Sequence, residues 1–441
     1  MKINQLMLFG IFFIGISSIE AQEKTSLTLD EAVKLAWTKS NEVSLADTKV
    51  NSKKYELRSV KNNQYPDFKL SGQYQRLTKA SVDMHTADEA SAEPMPAPEQ
   101  VMFGQATISL PIFAGFKIQN SINLYDNLYQ AESAYSEKTK EDVAMRVITY
   151  YTNLYKAQKT LDLLNENQKR AKQRVTDFTE LEKNGIIPRN DLLKAQLQVS
   201  KVQLSIDEAN NNLNIVNFYL TTLLKLPTTT KLEINESDFF NLKTDNAPMS
   251  EQAALDNRKD LEAIRLQGKA SEANIKIAKA AYYPSIALLG GYTALDLKDI
   301  ITVKYAMNFG VGISYDLSGI LKNSANVKAA ESKALEAKTS EAIMTDRIKV
   351  EVQKAIEDYH LAINQSVVYE EAVEQASENF RLVKDKYDND LADTNDLLEA
   401  DVDQLSAQIN KAVSKSTIIQ KYYELLSVSG QLSQSFNLSK I

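Results

Sequence analysis

The stretch "NGIIPRNDLLKAQLQ" (184–198) contains "NDLL" at 190–193, and the same four letters return at 395–398 inside "DNDLADTNDLLEADVDQ" (388–404). Asp191 and Asp396 are separated by 396 − 191 = 205 positions, nearly half of the 441-residue chain. At this offset "ATISLPIFAG" (106–115) falls on "VGISYDLSGI" (311–320). Upstream, "YPDFKLSGQY" (65–74) matches "YPSIALLGGY" (283–292) at an offset of 284 − 66 = 218. The difference, 218 − 205 = 13 residues, is an insertion in the first copy. It falls in "RLTKASVDMHTADEASAEPMPAPEQVMF" (76–103), whose Pro, Ala and acidic content reads as a loop. The chain is therefore one unit built twice.

Each copy has the same order of parts. A first helix opens in copy one at "LTLDEAVKLAW", with Thr28 and Glu31 at capping-box spacing, and in copy two at Ser250. Pro66 and Pro284 end these helices. Two strands with period-two alternation follow. Phe68, Leu70, Gly72 and Tyr74, then Ala106, Ile108 and Leu110, define a face in copy one. Ile286, Leu288, Gly290, Tyr292 and Ala294, then Met307, Phe309, Val311, Ile313 and Tyr315, define it in copy two. A breaker-free helix then spans about 117–183 or 322–388, a short turn follows, and a last helix covers about 189–225 or 393–429. The expected organisation is a signal peptide over 1–21, a first repeat over 22–227, a linker over 228–249 and a second repeat over 250–441. Lys2, the apolar run Leu6–Ile19 and the small residue Ala21 carry the signal-peptide reading.

At about 1.5 Å per residue each uninterrupted helix is on the order of 100 Å long. The two shorter helices of a copy sum to roughly that length, so they can stack end to end beside it, as in a coiled-coil assembly. The strands alternate apolar and polar residues over about ten positions, as transmembrane β-barrel strands do. Four strands cannot close a barrel, and single-chain barrels need at least about eight; three copies of this chain would supply twelve. A soluble sandwich at one end of the helices is the competing reading of the strands.

Composition narrows the function. The net charge is −7, with 58 acidic against 51 basic residues, so nucleic acid is not an expected partner. The chain has no Cys, which excludes disulfides, thiolate metal sites and a lipid-anchored cysteine. No run after the signal is long enough for a transmembrane helix. There are two His, His85 in the loop and His360 on a long helix, and no phosphate-binding GxxxxGK[ST] stretch. Met84, His85, Met95 and Met102 are too widely spaced in a polar loop to define a metal site. Tyr150, Tyr151 and Tyr155 stand at helical spacing and read as interhelical packing. No catalytic constellation, cofactor site or metal site is expected.

The "NDLL" turns differ in charge. The first has Arg189, Asp191 and Lys194, roughly balanced; the second carries eight acids between Asp385 and Asp403 against Lys386 alone. Asp396 and Glu399, three apart, share a helix face.

With "LTLDEAVKLAWTKSNEV" (27–43), "SLPIFAGF" (109–116), "NRKDLEA" (257–263) and the two "NDLL" segments in this order, the chain resembles the TolC-like outer-membrane efflux proteins over essentially its whole mature length. The resemblance implies a mainly α fold with a small β part. Long α-helical coiled-coil hairpins would form an α-barrel tunnel, and four amphipathic strands per protomer would complete a twelve-stranded trimeric transmembrane β-barrel. It further implies an outer-membrane location with a long periplasmic extension, and a channel serving efflux or type I secretion as its passive exit duct. The implied partners are two further copies of the chain, a periplasmic membrane-fusion adaptor protein, an inner-membrane transporter and outer-membrane lipid. Asp396 and Glu399 match the acids that narrow the family's tunnel mouth, with Glu in place of the usual second Asp; Asp393 lies beside them. Asp191 and Tyr387 match positions that hold the closed turns through a link with an arginine. Here that position is Ala392, and Arg189 is the candidate substitute. Two other departures are Lys259, where the family usually has Pro, and "YDNDLADT", which lacks a Gly after the tyrosine. A secreted or periplasmic coiled-coil structural protein is the alternative; it explains the helices but not the amphipathic strands.

Overall fold

The computed structural model describes residues 24–78, 98–235, 250–298 and 300–438. The expected signal peptide, the loop bearing Met84, His85 and Met95, and most of the expected linker lie outside the described residues. In chain order the first half contains β1 (Lys24–Ser26), α1 (Leu29–Lys39), α2 (Asn41–Asn62), β2 (Asp67–Arg76), β3 (Gln100–Ala114), α3 (Lys117–Lys183), α4 (Arg189–Leu223) and β4 (Lys231–Glu233). The second contains α5 (Glu251–Asn257), α6 (Lys259–Lys279), β5 (Ser285–Leu297), β6 (Ile301–Ser314), α7 (Leu317–Asp388), α8 (Thr394–Val428) and the short α9 (Leu432–Ser435). The fold is mainly α with a small β part.

Local chemistry accounts for the ends of these elements. Thr28 and Glu31 close a reciprocal capping box at α1. α3 is followed by Gly185 (φ 72) and α7 by Asp390 (φ 59), again 390 − 185 = 205 residues apart, each in the left-handed region. Beyond them Ile186 N donates to Leu181 O at 2.9 Å and Leu391 N to Lys386 O at 2.8 Å. These bonds satisfy helix-end carbonyls in the Schellman pattern. The other ends repeat it: Lys225 (φ 58) and Gly430 (φ 69) precede bonds from Leu226 N to Thr221 O and Gln431 N to Leu426 O, each 2.9 Å. Asp390 thus fills the position where the sequence lacks a glycine, and Asp is among the few residues that tolerate it.

Two expectations need correcting. The first helix of each copy is broken, at Ser40 (φ −64, ψ 137) and at Arg258 (φ −66, ψ 123), positions related by 258 − 40 = 218. Neither break uses Pro or Gly. At the second, the buried Arg258 guanidinium reaches Asp260 at 2.7 and 3.1 Å and also bonds Glu351, contacts that hold the backbone in its extended turn. Burial alone would raise the Asp260 carboxyl, but the bond and charge of Arg258 outweigh it and hold it below its usual range. The other correction is β1 and β4, three-residue strands paired in parallel from Lys24↔Lys231 to Ser26↔Glu233. Strands this short carry no periodicity.

The chain packs into two compact units, and neither is one sequence repeat. The first comprises Met1–Ser40, Arg146–Asn246 and Leu361–Lys421. In it the tyrosine stripe packs as expected: Tyr151 is buried and donates to Leu27 O at 2.9 Å, Tyr155 is buried, and Tyr150 lies 5.6 Å from Tyr219. Leu164, Val202, Ile206 and Leu405 form an apolar cluster between α3, α4 and α8, each fully buried side chain stabilising by about 1.5–3 kcal/mol. Amides of both helices grip the strand β4. Gln158 Nε2 donates to Leu232 O at 2.8 Å, and Asn217 Oδ1 accepts from Leu232 N at 2.9 Å.

The second unit, Asn41–Met145, Ala247–His360 and Tyr422–Ile441, holds the four-stranded sheet. Its order is β2-β3-β5-β6, antiparallel throughout, so the hairpins of the two halves join through β3 and β5. Pairing puts Phe68, Ile108, Gly290 and Phe309 in one row and Leu70, Ala106, Tyr292 and Met307 in the next on the same face. The opposite face has rows Lys69, Thr107, Gly291, Asn308 and Ser71, Gln105, Thr293, Ala306. In these rows one face is apolar and the other mostly polar. In the single chain the apolar face is bare: Leu70 is 86% and Phe309 94% exposed. Among the described residues both edges, β2 and β6, are open. No helix among the described residues is long and apolar enough to cross a membrane.

Candidate gate at the helical-hairpin turns

The two hairpin turns lie in the first compact unit, where α3 meets α4 and α7 meets α8. An apolar cluster of Phe178, Leu192, Ala195 and Leu397 fixes them, with Ile187, Phe380 and Val383 packed around it. The repeated "NDLL" is explained here: its first leucine, Leu192 in one turn and Leu397 in the other, is the buried anchor of each returning helix. The preceding aspartate occupies the third helical position in both.

The two aspartates nevertheless do different things. α8 starts after Asp393, whose Oδ1 accepts from Asn395 N at 2.6 Å and Asp396 N at 3.0 Å. Asp396 Oδ2 accepts in return from Asp393 N at 3.2 Å. This is a capping box made of two carboxylates, both favoured by the helix dipole. At α4 the capping position is Pro188, which offers no side-chain bond. Asp191 turns instead to Lys194 Nζ, 3.2 Å away, and to Asn190 Nδ2 at 3.3 Å. Glu399 is exposed one turn along from Asp396. Among the described residues, Asp385, Asp390, Glu399 and Asp403 form no ion pair, whereas Asp388 pairs with Lys384 at 3.0 Å. The second turn therefore keeps a concentrated negative field that the first lacks.

Tyr387 is not bonded to Asp191. Its ring stacks on Phe178, centroids 5.9 Å apart and planes 19° apart, as part of the anchoring cluster. Arg189 is exposed and forms no ion pair among the described residues, and Ala392 offers no charge. The ion pair that does tie the hairpins together joins Arg174 of α3 to Asp401 of α8, at 3.1 Å. Arg174 does not stand out in the sequence, and Asp401 is one of the eight acids of the second turn, with nothing to mark its role. Their heptad positions are the signal, and these become visible once α8 is known to pack on α3. No group of three or more residues able to hold a metal occurs among the described residues.

Comparison with known proteins agrees with this architecture. The family model described as outer membrane efflux protein matches residues 32–224 and 251–431. Nodulation protein T of Rhizobium leguminosarum bv. viciae is 25% identical over 287 residues, 63% of this chain and 59% of that protein, so the match spans less than two thirds of the relative's length. The outer membrane channel CmeC of Campylobacter jejuni superposes with a TM-score of 0.78 at 18% identity, covering 100% of this chain and 97% of that one. The outer membrane protein VceC of Vibrio cholerae does so with a TM-score of 0.77 at 16% identity, covering 91% and 96%.

Proposed function

This chain belongs to the outer membrane efflux protein family, so it is a transport protein of the Gram-negative outer membrane and not an enzyme, and we propose that three copies assemble into one channel that serves as a passive exit duct. The observation that carries this is the sheet. Four antiparallel strands with one apolar face, one mostly polar face and two open edges leave the apolar face unpartnered and the edges exposed to association. Pairing β6 of one copy with β2 of the next, three times, closes twelve strands. The apolar rows then face lipid and the polar rows a water-filled lumen. The two sequence repeats, 22–227 and 250–441, each supply one hairpin of strands and one of helices. The helical hairpins continue the lumen into the periplasm.

In this assembly the α7–α8 turns form the periplasmic mouth. Asp396 and Glu399 from each of three copies encircle it, with Asp393 behind them as the cap that orients Asp396. Ionised together they repel one another and attract cations, because a low-dielectric wall focuses their field. Closure is maintained by packing around Tyr387 and by the polar contacts of Asp191 on the neighbouring turn. The chain supplies no energy source, and the cargo is driven by an inner-membrane transporter joined through a periplasmic adaptor.

The mass of the detergent-solubilised full chain tests the assembly. A uniform trimer is expected, and a monodisperse monomer that stays soluble without detergent would refute it.

A further inference from the structure

The face that α3 turns towards α8 reads Leu164, Asn167, Ala171, Arg174, Phe178, spaced by three and four residues as in a coiled-coil seam. The opposing residues of α8 are Leu397, Asp401 and Leu405, spaced by four. Leu164 and Leu405 belong to one apolar cluster, Phe178 and Leu397 to another. Between them lies a polar layer. The Asp401 carboxylate, with a side chain only 1% exposed, accepts from Arg174 Nη1 at 3.1 Å and from Asn167 Nδ2 at 3.4 and 3.5 Å. Asn167 Oδ1 is buried and accepts no hydrogen bond among the described residues.

We propose that Asn167, Arg174 and Asp401 are the positioning residues that lock α8 in register on α3 and so hold Asp396 and Glu399 at the mouth; this rests on the gate reading above. Two physical arguments carry it. Apolar seams are poorly directional, so leucine contacts alone would tolerate a heptad slip. A slip here would set the Asp401 carboxylate against Leu164 or Phe178, a buried unpaired charge. Separation, by contrast, is easier here than along an all-apolar seam. When α8 lifts away, all three polar groups regain water, including the Asn167 oxygen that lacks a partner when closed. A buried ion pair of this kind contributes specificity and reversibility more than stability. The layer makes one closed register and lets it open.

Planar-bilayer recording of the purified full-length channel tests the lock. Asp401→Ala leaves the Arg174 guanidinium beside the seam without its counter-charge, and open occupancy should rise about tenfold, equivalent to about 1.4 kcal/mol. The double exchange Arg174→Asp with Asp401→Arg should return it to within about twofold of wild type, which a merely space-filling role would not do. Replacing Asn167, Arg174 and Asp401 together by Leu completes the apolar seam and should suppress opening below wild type while raising the unfolding temperature. Where Asp401→Ala does not assemble, the isosteric Asp401→Asn takes its place, with the same direction expected. Wild-type open occupancy in the single and triple variants, both assembled, overturns the proposal. Cation block recorded on the same channels reports the acidic mouth separately: its absence in wild type would sink the gate reading, whatever the lock variants do.

Discussion

Gly115 sits where β3 turns into α3, with φ 60, followed by Phe116 at φ 64. A Cβ at this position would collide with the backbone oxygen of Ala280 and lie 3.0 Å from the Tyr283 Cβ. The oxygen belongs to the backbone and cannot rotate away, so Gly115→Ala must push the β3–α3 junction of the first half away from the α6–β5 junction of the second. It would also disturb the edge-to-face trio Phe113, Phe116 and Tyr283, whose centroids are 5.2 to 6.4 Å apart. The left-handed backbone costs Ala about 1–2 kcal/mol, and the overpacked contact about 1–3 kcal/mol more. The reduced entropy of the unfolded chain offsets about 0.4–1 kcal/mol. The net loss should be about 3 kcal/mol, within a span of about 1–4.6 kcal/mol. Gly185 is the control: it has φ 72, but nothing lies within 4 Å of an added Cβ. Gly185→Ala should therefore lose about 1 kcal/mol or less, from backbone strain alone. Denaturant titration of both variants in detergent micelles, with the slope held constant, measures the difference. Equal losses in the two variants would refute the reasoning, because the Ala280 contact would then contribute nothing.

Two other substitutions follow from the same kind of accounting. Asp390→Gly removes a side chain from a left-handed position and should stabilise the second turn by about 0.5–1 kcal/mol, read as a higher denaturation midpoint. Glu141 is buried, and burial raises its carboxyl above the usual range despite hydrogen bonds from Ser433. A carboxyl raised in the folded state binds more protons there than in the unfolded chain, so stability falls as pH rises from the ordinary carboxylate range through the folded value. Glu141→Gln should therefore unfold at a higher temperature than wild type at pH 7–8, with the gap shrinking at pH 4–5; a pH-independent gap would remove Glu141 as its source.

Much of the fold could be read from residues because it depends on local rules. Pro66 and Pro284 end helices, the period-two rows from Phe68 to Ile313 make strands, and the breaker-free runs give α3 and α7 nearly to their observed ends. The kinks at Ser40 and Arg258 could not be read this way, because no Pro or Gly marks them. They are held by burial and, at Arg258, by ion pairs formed with a residue 93 positions away. In the candidate site, the charge contrast between the turns was visible in the sequence, since it is a matter of composition. The partners were not. Tyr387 belongs to an aromatic stack with Phe178, Asp396 to a cap with Asp393, and the tie between the hairpins to Arg174 and Asp401, more than two hundred residues apart. The cap is local to the start of α8, three residues apart; the other two pairings are decided by which helix faces which, and that is a property of the packed chain.

The central claim is that this chain makes a water-filled duct with an acidic periplasmic mouth. Recording the purified protein in planar bilayers, with divalent cations added on the periplasmic side, tests it most directly. The account predicts discrete cation-selective conductance steps that the cations block, and loss of that block in the double variant Asp396→Ala, Glu399→Ala with assembly intact. Absence of conductance steps, or a block unchanged in the double variant, would contradict it.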